Sequence, residues 1–274
     1  MIDSGSWARS AAETLESVRR RRPLVHHITN QVVMNDTANV TLQVGARPVM
    51  AHAPQEVEEM VRAADALVLN LGTPTYEGLE AMARAGRAAG EMGIPIVLDP
   101  VGVGATELRD RAASRFLDEL SITIVRGNGA EIGILGGTGG RVRGVDAVEA
   151  GDVAESVRSL ALRCGLTAVA TGKRDWLSDG ERTVVVDNGH PLLTAVTGTG
   201  CMVTAVIGAM AAVEADPLLA AAAGLVCFGV AAERAAAEAR GPGSFRVALF
   251  DALYALTPGQ LIASARISSL GSGG

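Results

Sequence analysis

Two glycines one residue apart, Gly198 and Gly200, sit in Thr197-Gly198-Thr199-Gly200-Cys201, which runs straight into the apolar stretch 202–210. A glycine turn that opens a helix lets backbone N–H groups approach a ligand without Cβ atoms in the way. The free N–H groups and the partial positive charge of the helix start then face that ligand. This is chemistry for an anion, with Gly198, Thr199 and Gly200 as the cradle. Cys201 falls in the first turn, where the same field favours a thiolate and lowers the thiol pKa, so the stretch offers a base beside an anion hole. A plainer reading makes the glycines a tight turn and Cys201 one more small buried residue, and the motif alone leaves both open.

Further chemistry stands at the ends of short apolar runs. Asn70, Asp99, Arg126, Asn128 and Thr171 each close such a run. An arginine neutralises phosphate charge, and the carboxylates Asp99 and Glu131 suit hydrated magnesium, which is what phosphoryl transfer needs. Glu131 follows Asn128 by three residues, the spacing of a helix capping box, so a purely structural role stands beside the functional one. No glycine loop ends in Gly-Lys-Ser/Thr, and Gly198-Thr199-Gly200 lacks the third glycine of a dinucleotide turn. The adjacent His26 and His27 would point to opposite faces of a strand, which argues against a shared metal.

The elements that must position these groups alternate along the chain. A surface helix over 5–20 is followed by a strand within 23–30, with Asn30 as the expected N-cap of a helix over 31–44. A short strand at 47–51 and a helix near 55–64 come next. Strands at 66–70, 94–99, 122–126 and 167–171 are separated by helices near 76–92, 106–119 and 152–164, with a further helix possible after Asn128. This is the strand and crossover-helix rhythm of a parallel sheet, in which ligands sit at the carboxyl ends of the strands. A strand at 183–189, the helix that begins at the glycine turn, a long helix from Pro217 through Arg240, helices near 245–256 and after Pro258, and a frayed tail over 268–274 complete the chain. No repeat or linker divides it, so residues 1–274 are expected to form one α/β domain.

With 274 residues, 48% of them hydrophobic, the chain can bury a full core, and 33 glycines with few aromatic residues imply close packing of small side chains. The net charge of −6 and the lack of any basic cluster beyond Arg19 to Arg22 argue against a nucleic-acid surface, and those four arginines read as a solvated helix end. Three cysteines without metal spacing or a leader point to a reducing cytoplasm. The apolar runs at 202–213 and 218–232 fall short of a membrane span and read as buried core helices.

The blocks Pro23-Leu24-Val25-His26-His27-Ile28-Thr29-Asn30, Pro48-Val49-Met50-Ala51, Val68-Leu69-Asn70-Leu71-Gly72-Thr73, Leu98-Asp99-Pro100-Val101-Gly102, Arg126-Gly127-Asn128, Asn188-Gly189-His190 and Thr197-Gly198-Thr199-Gly200-Cys201 together resemble the hydroxyethylthiazole kinase family, from about residue 23 to Tyr254. The resemblance implies a ribokinase-like three-layer sandwich, a mostly parallel central sheet with helices on both faces. It implies phosphorylation of the hydroxyl of 4-methyl-5-(2-hydroxyethyl)thiazole by ATP with Mg2+, a salvage step toward thiamine. In the wider fold a Gly-x-Gly-Asp turn supplies anion hole and base, and an Asn-x-x-Glu motif organises magnesium and phosphate. Here these are Gly198-Thr199-Gly200-Cys201 and Asn128-Gly129-Ala130-Glu131, with cysteine in place of aspartate as in the thiazole branch.

By the same resemblance Met50, Gly198 and Asn30 contact the thiazole, and Arg126, Thr171 and Asn128 contact ATP. Glu131 and Asp99 hold the metal, through water where needed, and Cys201 is the catalytic base. A homotrimer with active sites at subunit contacts is implied too; nucleic acid and membrane are not expected partners. Three other readings stay open: a kinase of another small alcohol, such as a hydroxymethylpyrimidine or a vitamin B6 alcohol; a hydrolase or acyltransferase with Cys201 as nucleophile; and a nucleotide-binding protein without catalysis.

Overall fold

The computed structural model describes residues 4–138 and 150–270. Helix α1 (Ser4–Arg21) leads into β1 (Leu24–Ile28), α2 (Met34–Val44), β2 (Arg47–Val49), α3 (Val57–Arg62) and β3 (Ala66–Asn70). After these come α4 (Tyr76–Met92), β4 (Ile96–Asp99), α5 (Glu107–Glu119), β5 (Ile124–Asn128), α6 (Gly129–Gly136), α7 (Ala150–Cys164) and β6 (Thr167–Thr171). The chain continues through β7 (Asp175–Ser178), β8 (Thr183–Val186), a short 3-10 helix (Pro191–Ala195), α8 (Thr199–Ala211), α9 (Pro217–Glu238), α10 (Pro242–Ala255), α11 (Pro258–Ser264) and β9 (Ile267–Leu270).

All the described strands join one nine-stranded sheet in the order β2-β1-β3-β4-β5-β6-β7-β8-β9. The first six strands pair parallel, and β6 to β9 are antiparallel. Because side chains alternate along a strand, the central strands serve two cores. Ala66 and Val68 of β3 join α1, α2, α8, α9 and α10 on one face, while Leu67 and Leu69 join α3 to α7 on the other. The expected three-layer α/β sandwich is therefore observed. Glycines allow close packing of helix on sheet and of helix on helix: a Cβ on Gly208 of α8 would lie 2.5 Å from Val68 Cγ2 of β3, and one on Gly224 of α9 2.7 Å from Ile207 Cγ1 of α8.

Four local expectations need correction. Asn30 does not cap α2: the N-cap is Val33, without a side-chain hydrogen bond. Asn30 Oδ1 instead accepts from Val32 N (3.1 Å) in a turn that delays the helix. Residues 268–270 of the expected frayed tail belong to β9, which pairs with β8, and 271–274 lie outside the described residues. The arginine run is not wholly solvated, since Arg19 turns inward and donates to the carbonyls of Leu253 (3.1 Å), Tyr254 (3.2 Å) and Leu256 (2.5 Å) at the end of α10. That is a favourable place for a cation, because the last carbonyls of a helix lack partners. Helix α9, at 22 residues, does reach the length and hydropathy of a membrane span. Its apolar window is 83% buried, packed on α1, α8 and α10, so the core-helix reading stands.

Candidate functional site

The parallel register lines up the strand ends. Asn70 stands opposite Asp99 on β3 and β4, and Asn128 stands opposite Thr171 on β5 and β6. The chain runs from β1 outward to β2 and then back past β1 to β3. Loops after β1 and β3 consequently leave in opposite directions and open a crevice between them, the topological switch point where α/β sheets bind ligands. A cleft of ≈ 400 Å³ lies there, lined by Ile28 to Gln31, Met34, His52, Asn70, Thr73 and Met82 among others.

Under its floor is a compact polar cluster. Asn70 Nδ2 donates to Asp99 Oδ2 (2.8 Å) and to Cys201 Sγ (3.2 Å), while its Oδ1 accepts from Asn30 Nδ2 (2.8 Å) and Gly72 N (2.9 Å). Asn30 Nδ2 also reaches Cys201 Sγ (3.5 Å). Thr204, three residues after Cys201 and hence on the same side of α8, donates to Asp99 Oδ2 at 2.9 Å. Arg109 of α5 staples the loops above, donating to the carbonyls of Leu71 (2.6 Å), Gly72 and Val101.

The glycine turn has the conformation its sequence demands. Gly198, the N-cap of α8, has φ +85°, and a Cβ there would lie 2.2 Å from Val33 Cγ1. No side chain caps this helix, and within the described residues the N–H groups of Thr199, Gly200 and Cys201 form no hydrogen bond to the chain. The Arg126 guanidinium lies directly over Gly200, where a Cβ would come 2.7 Å from Nη1. It is buried, donates from Nη2 to Thr171 Oγ1, and has Nη1 3.7 Å from Asp99 Oδ1. A guanidinium and a helix start, both electropositive, thus converge on one point. That arrangement suits an anion.

The thiol behaves differently from expectation. Burial, followed by the Asp99 carboxylate, pushes Cys201 up to about 12, against the hydrogen bonds from Asn70 and Asn30. The first turn of a helix lowers a thiol pKa only where solvation or positive charge dominates; here desolvation and a neighbouring anion outweigh it. Burial likewise raises Asp99 to about 6, with Arg126 opposing.

Asn128 and Glu131 form the capping box of α6. Asn128 Oδ1 accepts from Glu131 N (2.9 Å), and Glu131 Oε2 accepts from Asn128 N (2.8 Å). The other oxygen, Oε1, takes Gly102 N at 2.7 Å, which ties α6 to the loop after β4. Among the described residues no cluster of three or more His, Cys, Asp or Glu forms a metal cage. Magnesium, however, usually keeps several waters and uses one or two carboxylates with substrate phosphates. Asp99 Oδ1, buried and without a hydrogen-bond partner, fits that pattern, and Glu131 adds a second anchored carboxylate near enough to raise the Asp99 pKa.

The structure thus brings Asn30, Asp99, Arg126, Thr171 and Cys201 together with the turn 198–200. Met50 and Gly198 do not line the cleft; Met50, just past the edge strand β2, offers its carbonyl to His52 Nδ1 (3.1 Å). His26 and His27 do diverge: His26 Nε2 meets Ala51 O (2.8 Å) and His27 Nε2 meets Thr41 Oγ1 (3.2 Å). Asn70 was legible only as a strand end. Thr204, Arg109 and His52 carried no signal beyond residue type.

Residues 15–259 match the model of the hydroxyethylthiazole kinase family. The hydroxyethylthiazole kinase of Desulfatibacillum aliphaticivorans is 52% identical over 263 residues, covering 96% of this chain and 98% of that protein. That of Chloroflexus aggregans is 56% identical over 260 residues, 94% of each. A solved hydroxyethylthiazole kinase from Pyrococcus horikoshii OT3 superposes with TM-score 0.87 at 44% identity, covering 95% of this chain and 99% of that one. A Staphylococcus aureus pyridoxal kinase, at 17% identity, TM-score 0.56 and 77% and 87% coverage, shares the ribokinase-like fold alone. With a match over most of the chain and more than half the residues identical in these bacterial relatives, the chain belongs to the hydroxyethylthiazole kinase family.

Proposed function

We propose that this chain transfers the γ-phosphoryl group of ATP to the hydroxyl of 4-methyl-5-(2-hydroxyethyl)thiazole, a salvage step toward thiamine. The observation that carries the reading is the convergence of the Arg126 guanidinium with the uncapped start of α8, one hydrogen bond behind a cleft at the switch point. Phosphoryl transfer is catalysed chiefly by positioning and charge stabilisation, and those are what this edge offers.

In this mechanism Asn30 and the cleft walls orient the alcohol. Arg126, Thr171 and Asn128 hold the nucleotide phosphates. The N–H groups of the turn 198–200 stabilise charge on the transferring group, and the hydroxyl proton passes toward Cys201 Sγ. Raised to about 12, the thiol rests protonated, so the sulfur takes the hydroxyl proton only in the small fraction present as thiolate. A loose transition state tolerates this, since the alcohol is little deprotonated when the barrier is crossed. Magnesium, held by Asp99 and by Glu131 through water, would neutralise charge on the phosphates when bound.

A homotrimer with the cleft at a subunit contact is supported by apolar exposure near its rim, where Val32 is 64% and Tyr76 91% exposed. Three free cysteines suit a reducing cytoplasm.

The test is ATP consumption across a panel of small alcohols, with the thiazole alcohol and a hydroxymethylpyrimidine side by side, with and without chelator. Preferred turnover of the thiazole alcohol, abolished by chelator, is expected. Preference for the pyrimidine would reassign the substrate, and acylation of Cys201 without ATP turnover would replace the kinase reading. Sedimentation that finds a fully active monomer would remove the trimer.

A further inference from the structure

Asn70 is 2% exposed, and all four of its side-chain hydrogen-bonding positions are used. Its orientation is unambiguous. The backbone N–H of Gly72 can only donate, so Oδ1 must face it, and Nδ2 must then face the Asp99 carboxylate. Asn30 is fixed in the same way, because Val32 N donates to its Oδ1 and leaves Nδ2 for Asn70 Oδ1 and Cys201 Sγ. The two hydrogens of one planar NH2 group therefore span a sulfur on α8 and a carboxylate at the end of β4. The backbone leaves little room for adjustment, since a Cβ on Gly72 would fall 2.5 Å from Asn30 Nδ2.

We propose that Asn70 is the positioning residue of the phosphoryl transfer: its amide sets the place of the Cys201 sulfur relative to the Asp99 carboxylate, so that these two groups act as one unit. The proposal rests on the kinase reading above for its kinetic part and on geometry alone for its structural part. Without the amide, the Cys201 side chain loses its shorter hydrogen bond, and the donor of the remaining one, Asn30 Nδ2 at 3.5 Å, loses the Asn70 Oδ1 that holds it at 2.8 Å.

The experiment is a double-mutant cycle of Asn70→Ala and Cys201→Ala in the full chain, with kcat and the KM values for ATP and the thiazole alcohol. It is accompanied by a crystal structure of Asn70→Ala. Residues that act through one another give non-additive effects, so the kcat loss from Asn70→Ala is expected to shrink by about tenfold or more once Cys201 is already alanine. KM for ATP should change less than kcat, because Arg126, Thr171 and Asn128 make no hydrogen bond to the amide, which reaches the nucleotide side only through Asp99. The crystal structure should find the sulfur in a different or a mixed rotamer.

Multiplicative kcat losses, as expected if Asn70 only supports the fold, or an unmoved sulfur would overturn the proposal. If Asn70→Ala does not fold, Asn70→Ser enters the same cycle, since one hydroxyl hydrogen can serve either the sulfur or the carboxylate but not both. If the wild-type chain fails to phosphorylate the thiazole alcohol, the kinase reading falls, and the rotamer of Cys201 still decides the role of Asn70.

Discussion

Helices α6 and α8 both begin at the carboxyl edge of the sheet, and their first turns are built in opposite ways. At α6 the side chains of Asn128 and Glu131 close a capping box, and the second Glu131 oxygen is taken by Gly102 N. At α8 a left-handed glycine serves as N-cap, no side chain follows it in, and a buried guanidinium lies over the second glycine. Both ends carry the same partial positive charge. One satisfies it within the chain, and the other leaves its first N–H groups without a partner among the described residues. The presence of a helix start at a functional edge therefore says little until its donors have been accounted for one by one.

The contrast breaks most readily at Gly200. A Cβ there would displace Arg126, so Gly200→Ala is expected to lower kcat/KM for ATP by about 10²–10³, the loss typical of removing one charge-stabilising donor. Isothermal titration with ATP and steady-state kinetics check it, and wild-type values would mean that Arg126 does not work from this position. Gly198→Ala meets Val33 and forces a left-handed conformation on alanine, with a stability loss of at least about 1–2 kcal/mol in chemical denaturation.

Next in size is Cys201. Cys201→Ala should fold and bind ATP but lose kcat, from a few-fold to about 10²–10⁴, the span for general bases. Cys201→Asp should remain active, because a carboxylate at a helix start is favourable and accepts the same proton. Full activity in the alanine variant would deny the sulfur a catalytic part, and a dead but folded aspartate variant would point back to a covalent nucleophile.

Glu131→Gln sharpens the comparison from the α6 side. Glutamine offers one accepting oxygen where two backbone N–H groups wait, so a loss of about 1–3 kcal/mol in unfolding free energy is expected. If Glu131 also organises magnesium, kcat falls while thiazole affinity holds. A destabilised variant with unchanged kcat would leave Glu131 as a cap and nothing more.

The smallest effect concerns the charge behind Arg126. Asp175, at the start of β7, accepts Gly172 N at 2.9 Å and is raised by burial to about 7. An ordinary carboxyl at 3.8 ionises earlier, so the folded chain holds this proton more tightly than the unfolded one. The stability it contributes is full below pH 3.8 and is lost as pH rises through about 7. Asp175→Asn keeps an acceptor for Gly172 and removes the titration. Its Tm relative to wild type should rise between pH 5 and pH 8, by a few degrees on the scale of about 1 kcal/mol. A constant difference across that range would show that Asp175 is not held neutral.

Local chemistry was readable where it depends on residues close in sequence. The Asn128 and Glu131 cap is a three-residue spacing, the strand ends follow apolar runs, and the glycine turn announces α8. Strand β7 was missed because Asp175-Trp176-Leu177-Ser178 has no apolar run, and β9 because two serines and a glycine-rich tail conceal Ile267 and Leu270. Both are recruited as strands by neighbours already in the sheet. The type and order of the α/β units, and the motifs that mark the family, were thus determined by sequence alone. Only the tertiary structure decided that Asn70 meets Cys201 across 131 residues, that Thr204 braces Asp99 across 105, and that the thiol is raised and not lowered. A pKa follows from burial and from the charges that folding brings near, and neither quantity exists until the chain has closed around the group.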